Sequence, residues 1–190
     1  MMGKFNHKIE YQFQTPPSVC RYMVSLLPNG IRSVLEPTPG LGNLVSALWQ
    51  YDVTDPVDYF LLDKNRRFDA VVMNPPFSHR TADLENAPKG YGTGLKVGYR
   101  ILVECMHKSD TVIALMPWFT IGDSDVRLRY LKNFGLISVT ALPRKTFQYA
   151  RIQTVILHLQ KGYKGETTFK VFDLLPSVRS MQEASQIELF

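Results

Sequence analysis

The chain has 190 residues, of which 45% are hydrophobic, with a formal net charge of +5 and a pI near 9.2. That is material for one ordinary globular domain with a real core, and the positive balance favours a polyanionic partner such as nucleic acid. No apolar run approaches the length of a membrane span, no stretch resembles a signal peptide, and Cys20 and Cys105 lie far apart without metal-type spacing. A cytoplasmic protein with reduced core cysteines, no bound metal and no membrane partner is therefore expected. No internal repeat, low-complexity tract or linker-like segment interrupts the chain.

Residues 1–10 are polar and mildly basic and are expected to fray. A helix is predicted from Ser18 to Leu27, entered through Thr15-Pro16-Pro17 with Thr15 as N-cap. Val19, Tyr22, Met23, Leu26 and Leu27 share one face of it. A short strand then ends at Glu36-Pro37, a turn carries Gly40 and Gly42, and a second helix runs through Leu44, Val45, Leu48 and Trp49. The two glycines let the backbone approach a ligand closely, and the Glu36 carboxylate can bind an ammonium group.

The stretch 68–77 is the one around which the others are arranged. Ala70, Val71, Val72 and Met73 form a continuous apolar run, β-branched at its centre, which predicts a strand buried on both faces. It stops at Pro75 and Pro76. Neither offers a backbone N–H, and the first holds Asn74 towards an extended conformation. Asn74-Pro75-Pro76-Phe77 is thus a stiff loop at the strand's C-terminal end, where open α/β sheets bind ligands. These residue types suit methylation of a nitrogen whose lone pair is delocalised. Two neutral acceptors, the Asn74 side-chain oxygen and the Pro75 carbonyl, can take the two N–H groups of a planar amine and draw its nitrogen towards tetrahedral. Phe77 offers a flat face to an extruded base.

Residues 78–98 read as a long polar loop with Gly90, Gly92, Gly94 and Gly98 among Arg80, Lys89 and Lys96. Such a loop can close over substrate and contact phosphates, or can be merely solvated. His79 sits next to the site, but a lone His is more often incidental and this chemistry needs no strong base. A helix at 99–107, a buried strand at 111–117, a basic amphipathic helix at 127–134 and strands at 136–142 and 154–159 follow. Trp118 and Phe119 can wall a base pocket or pack the core, and His158 alternates with apolar residues as on a sheet surface. A strand at 168–174 and a weak C-terminal helix complete the prediction.

The order of motifs (Thr-Pro turn, Glu-Pro with Gly-x-Gly, then Asn-Pro-Pro-Phe) resembles that of the gamma-type, S-adenosylmethionine-dependent N6-adenine DNA methyltransferases, over roughly residues 11–161. The resemblance implies a Rossmann-like class I α/β fold, mostly parallel with an antiparallel C-terminal hairpin, residues 1–190 forming a single methyltransferase domain. It implies S-adenosyl-L-methionine as cofactor and DNA, single- or double-stranded, as partner in a restriction-modification setting. Thr15, Pro16, Glu36, Pro37, Gly40 and Gly42 would hold the cofactor, and Asn74, Pro75, Pro76 and Phe77 would form the catalytic loop. Phe147 would help position the base, with Lys89 and Lys96 near the substrate.

The sequence also departs from that family. Pro39 stands where a small residue is usual. Residues 51–67 are too few for the strand, crossover helix and further strand expected there, since a parallel connection alone takes a dozen or more residues. Residues 57–62 fit the last of those strands, which makes Asp58 the candidate adenine-binding acid and leaves Asp52 to stand for the ribose-binding one. No segment amounts to a target-recognition domain, so a separate recognition subunit or a homodimer is an expected partner. An RNA base or a protein glutamine amide as acceptor, or a catalytically silent subunit, are the other readings. An NAD-type Rossmann protein is disfavoured by the missing third glycine.

Overall fold

A computed structural model describes residues 14–77, 86–92, 95–147 and 152–172. The N-terminal arm, His79, Arg80, Gly94 and the expected C-terminal helix lie outside the described residues. Helices are α1 (Pro17–Ser25), α2 (Asn43–Ala47), α3 (Leu95–Lys108) and α4 (Asp125–Phe134), with a further single helical turn at Phe119–Gly122. Strands are β1 (Ser33–Leu35), β2 (Asp52–Thr54), β3 (Ala70–Met73), β4 (Thr111–Pro117), β5 (Leu136–Ala141), β6 (Thr154–Gln160) and β7 (Thr168–Val171).

The strands form one sheet in the order β2-β1-β3-β4-β6-β5-β7. β1, β2, β3 and β4 pair in parallel, β6 runs antiparallel between β4 and β5, and β7 lies parallel to β5 at the edge. The expected mostly parallel sheet with its antiparallel hairpin is thus the observed one.

Every residue of β3 and β4 is buried, because helices cover both faces of the sheet centre. The two-residue alternation of a strand divides the core in two. Ala70 and Val72 of β3 join Ile113 and Leu115 of β4 against Val19, Cys20 and Met23 of α1 and Leu44 of α2. Val71 and Met73 join Val112, Ala114 and Met116 against Val97, Ile101, Leu102 and Cys105 of α3 and Leu131 of α4. Two apolar faces of one sheet therefore fix the register of the central strands, since a one-residue slip would exchange both sets of contacts.

The region before β3 differs from the expected arrangement. Residues 57–62 form no strand; Tyr59–Leu61 is a 3-10 turn. Asp58 Oδ1 accepts the Phe60 backbone N–H at 2.8 Å, a local bond that competes with strand pairing. Tyr59 is drawn inward and its hydroxyl donates to Glu104 Oε2 of α3 at 2.8 Å. The strand beside β1 is instead β2, three residues long, which Asp52 opens at the N-terminal end. This half of the sheet is short: β2 is its edge, and no strand lies beyond it among the described residues. Thr15 is not the N-cap of α1 either: Pro16 holds that place, with no side-chain cap bond.

Leu115 is fully buried at the centre of β4, whereas Val57 is fully exposed. Leu115→Ala is expected to lower the unfolding free energy by about 2–5 kcal/mol. Val57→Ala should change it by less than about 0.5 kcal/mol. Urea titration of both variants checks the contrast.

Candidate active site

β1 and β3 are parallel neighbours, so their C-terminal ends lie side by side and bring Glu36 and Asn74 to one edge of the sheet. Glu36 is 1% exposed. Its Oε1 accepts the Thr38 backbone N–H at 3.0 Å, and the Thr38 hydroxyl lies 3.4 Å from the same oxygen and 3.3 Å from the Asn74 main-chain oxygen. One hydroxyl proton is thus shared between the carboxyl of the first strand end and the backbone of the second.

Thr15 closes the arrangement from the other side. Its hydroxyl oxygen accepts a hydrogen bond from Asn74 Nδ2 at 3.0 Å, and its carbonyl accepts from Asn43 Nδ2 at 3.0 Å. The segment before α1, the glycine turn and the Asn-Pro-Pro-Phe loop, far apart in sequence, therefore meet in one hydrogen-bonded group. Thr38 and Asn43 went unnoticed in the sequence; Asn43 follows the Gly-x-Gly and Thr38 sits two residues after Glu36, which are the signals that could have found them.

Gly40 and Gly42 both adopt positive φ, +55° and +84°. A side chain at Gly40 would collide with the carboxamide of Gln14, whose Oε1 also accepts the Leu41 N–H at 3.2 Å. The space at Gly40 is therefore taken by the chain itself. Among the described residues nothing lies within 4 Å of a side chain built at Gly42, so of the two glycines this is the one that leaves open room. Pro37 is buried and Pro16 half-buried beside them.

The remaining carboxyl oxygen of Glu36, Oε2, is buried and has no hydrogen-bond partner among the described residues. Burial, only partly offset by the Thr38 bonds, pushes the Glu36 carboxyl up to about 8. Asp55, the residue that follows β2, adds a repulsive charge nearby. A buried carboxyl with one unpaired oxygen suits a cationic group, since an ammonium would supply both the missing donor and the missing charge.

Asp58 is not part of this group. Its Oδ2 accepts from Asn86 Nδ2 at 2.7 Å, so it ties Asn86, beyond the Asn-Pro-Pro-Phe loop, to the 3-10 turn. Phe60 packs edge-on against Tyr91 at 4.7 Å between ring centroids and strengthens that join. Asp52 stands at the far end of β2. The acid at the C-terminal end of β2 is Asp55, which three-residue β2, with no apolar run, did not announce in the sequence.

Phe77 and Phe147 belong to the same apolar cluster, with Ile113, Leu115 and Ile156. Phe77 is only 9% exposed, so its ring packs in the core where an open stacking face was expected. Trp118 lies at the other side of the sheet, edge-on to Phe169 of β7. Lys89 and Lys96 are exposed, and no hydrogen bond or ion pair among the described residues ties them to the loop. No group of three or more His, Cys, Asp or Glu among the described residues could hold a metal ion.

Behind the loop, Gly98 of α3 lies against its backbone. A side-chain carbon there would stand 2.9 Å from the Pro76 carbonyl oxygen and 3.5 Å from Pro75 Cγ. The glycine brings the helix close enough to buttress the two prolines.

No family model matches the sequence, and no curated protein matches it. Solved structures do. A protein described as the modification subunit of a type I restriction enzyme from Vibrio vulnificus YJ016 superposes with a TM-score of 0.62 at 18% identity, over 94% of this chain and 54% of that one. A methyltransferase subunit of a type I restriction-modification system from Streptococcus thermophilus gives 0.65 at 16% identity, over 92% and 52%. A protein described as a class I S-adenosylmethionine-dependent methyltransferase from Listeria monocytogenes gives 0.63 at 18%, over 92% and 71%. The chain spans about half the length of the two restriction-modification subunits. At these identities the likeness defines the fold: a class I methyltransferase sheet, with helices on both faces.

Two measurements test this geometry. Ala for Gly in an exposed helix normally stabilises by about 1 kcal/mol. Gly98→Ala is expected to lower the thermal midpoint instead, because the added methyl group must displace the Pro76 carbonyl; a raised midpoint would contradict the close approach. The second concerns pH. From its ordinary value of 4.5 up to about 8, the folded chain retains a proton on Glu36 that the unfolded chain has released. Stability contributed by this group is full below about pH 4.5, falls as pH rises to about 8 and is level above. Glu36→Gln should therefore gain stability relative to wild type across that window, a trend that denaturant titrations at several pH values would detect.

Proposed function

We propose that the chain is an S-adenosylmethionine-dependent methyltransferase whose acceptor is the exocyclic N6 amine of adenine in DNA. The observation that carries this reading is the hydrogen-bonded join between a buried, half-paired carboxyl at one strand end and an Asn-Pro-Pro-Phe loop at the next. The first suits the ammonium end of an amino-acid-bearing cofactor. The second suits a planar amine. The class I methyltransferase fold supports the same pairing.

S-adenosylmethionine held there would supply a sulfonium-activated methyl group for the amine nitrogen, whose displaced proton would pass to water. Glu36 Oε2 would take the cofactor's ammonium and Gly42 would leave room beside it, with Asp55 a further acid near Glu36 available to the cofactor. Asn74 Oδ1 and the Pro75 carbonyl accept the two amine N–H groups and aim the lone pair. Phe77 and Phe147 receive the base, which requires their shared apolar packing to open. Exposed Lys89 and Lys96 contact phosphates. The net charge of +5 agrees with a polyanionic substrate.

Two of the neighbours named above are described as subunits of type I restriction-modification systems, and this supports a setting in which a second chain supplies sequence recognition. The test is transfer of labelled methyl to adenine-containing DNA, followed by digestion and identification of the modified nucleoside. N6-methyladenine, with kcat reduced about 10²–10³-fold in Asn74→Ala, is the expected outcome. Label in an RNA base or a protein amide instead would replace the acceptor, and no transfer to any of them would overturn the reading.

A further inference from the structure

We infer that Thr15 is a positioning residue for Asn74, acting through the hydrogen bond that holds the Asn74 carboxamide in one of its two orientations. The inference rests on the function proposed above and goes beyond a cofactor-binding role for the turn at Thr15. The terminal torsion of an asparagine is broad and roughly two-fold, so nothing intrinsic to Asn74 decides which edge of its amide faces the substrate. The outcome matters. With Oδ1 forward the group accepts an N–H of the target amine; turned over, it presents N–H to N–H and opposes the same amine.

In the structure Nδ2 donates to Thr15 Oγ1 at 3.0 Å, which leaves Oδ1 on the other edge of the planar group. Thr15 is 3% exposed, so water does not compete for its hydroxyl. Its place is fixed from behind: the Thr15 carbonyl accepts from Asn43 Nδ2 at 3.0 Å and from Cys20 Sγ at 3.4 Å. Asn43 directly follows Gly42, so the anchor of the catalytic amide is itself seated on the glycine turn. Main-chain support for Asn74 comes separately from Thr38. The backbone of Asn74 thus meets the Thr38 hydroxyl and its side-chain amide meets the Thr15 hydroxyl, two different threonines.

Thr15→Val keeps the shape and removes the acceptor, Thr15→Ser keeps the hydroxyl, and Thr15→Ala removes the acceptor without a bulky replacement should the valine variant fold poorly. Methyl transfer to adenine-containing DNA is measured for each, alone and combined with Asn74→Ala, with S-adenosylmethionine affinity followed by calorimetry. Loss of the anchor is expected to lower kcat by up to about 100-fold with cofactor affinity unchanged, and Thr15→Ser is expected to restore most of it. In the Asn74→Ala background Thr15→Val should cost nothing further, because its effect passes through the missing amide. Full kcat in both Thr15→Val and Thr15→Ala, a loss explained by weaker cofactor binding, or a loss that adds to that of Asn74→Ala would each overturn the inference. A wild-type chain that transfers no methyl group fails the proposed function itself, whereas an active wild type with equally active Thr15 variants fails this inference alone.

Discussion

The structure depends on a carboxyl group buried at the end of a parallel strand. Taking Glu36 out of water is unfavourable, and two things lessen the penalty: retention of a proton, and the Thr38 backbone N–H on one oxygen. The second oxygen has no donor among the described residues. Such a group is poorly matched to stability alone and well matched to a cationic ligand. Because β1 and β3 are neighbours, the same Thr38 that satisfies Glu36 also touches the Asn74 backbone. The proposed cofactor end and the proposed chemical end of the site are thus one bonded unit.

The remaining elements hold that unit in place. β3 and β4 are buried on both faces, which fixes where the Asn-Pro-Pro-Phe loop emerges. Gly98 lets α3 press against the back of the two prolines, and α1 is preceded by the turn that carries Thr15 to the Asn74 amide. The edge of the sheet is reduced to β2, and the connection that follows turns inward through Tyr59 and Phe60 where a further strand would otherwise lie. Its join to Asn86 and Tyr91 anchors the far end of the segment that follows the loop.

Much of this was legible in the sequence because it rests on local patterns. A continuous apolar run announces β3, two prolines announce the stiff loop, and Glu-Pro followed by Gly-x-Gly announces the turn after β1. What the sequence hid depends on partners distant along the chain. Thr15 before two prolines reads as a helix cap, yet its hydroxyl meets a side chain 59 residues away. Gly98 looks like one glycine among several in a polar loop, but it lies within α3 and matters through what it touches. Residues 57–62 read as a strand by apolar content, and the bond from Phe60 N–H to Asp58 turns them into a 3-10 helix. β2, with Asp52, Val53 and Thr54, has too little apolar character to be recognised, so Asp55 at its end was missed along with it.

The most direct test of the account is a calorimetric titration of the wild-type chain and Glu36→Gln with S-adenosylmethionine at neutral pH, in two buffers of different ionisation enthalpy. If the unpaired Glu36 oxygen receives the cofactor's ammonium, the carboxyl must ionise on binding. The apparent enthalpy will then depend on the buffer in the direction of proton release, and both the release and most of the affinity will disappear in Glu36→Gln. Absence of binding, or binding of equal strength by the two proteins without proton release, would contradict the assignment of this buried carboxyl to the cofactor.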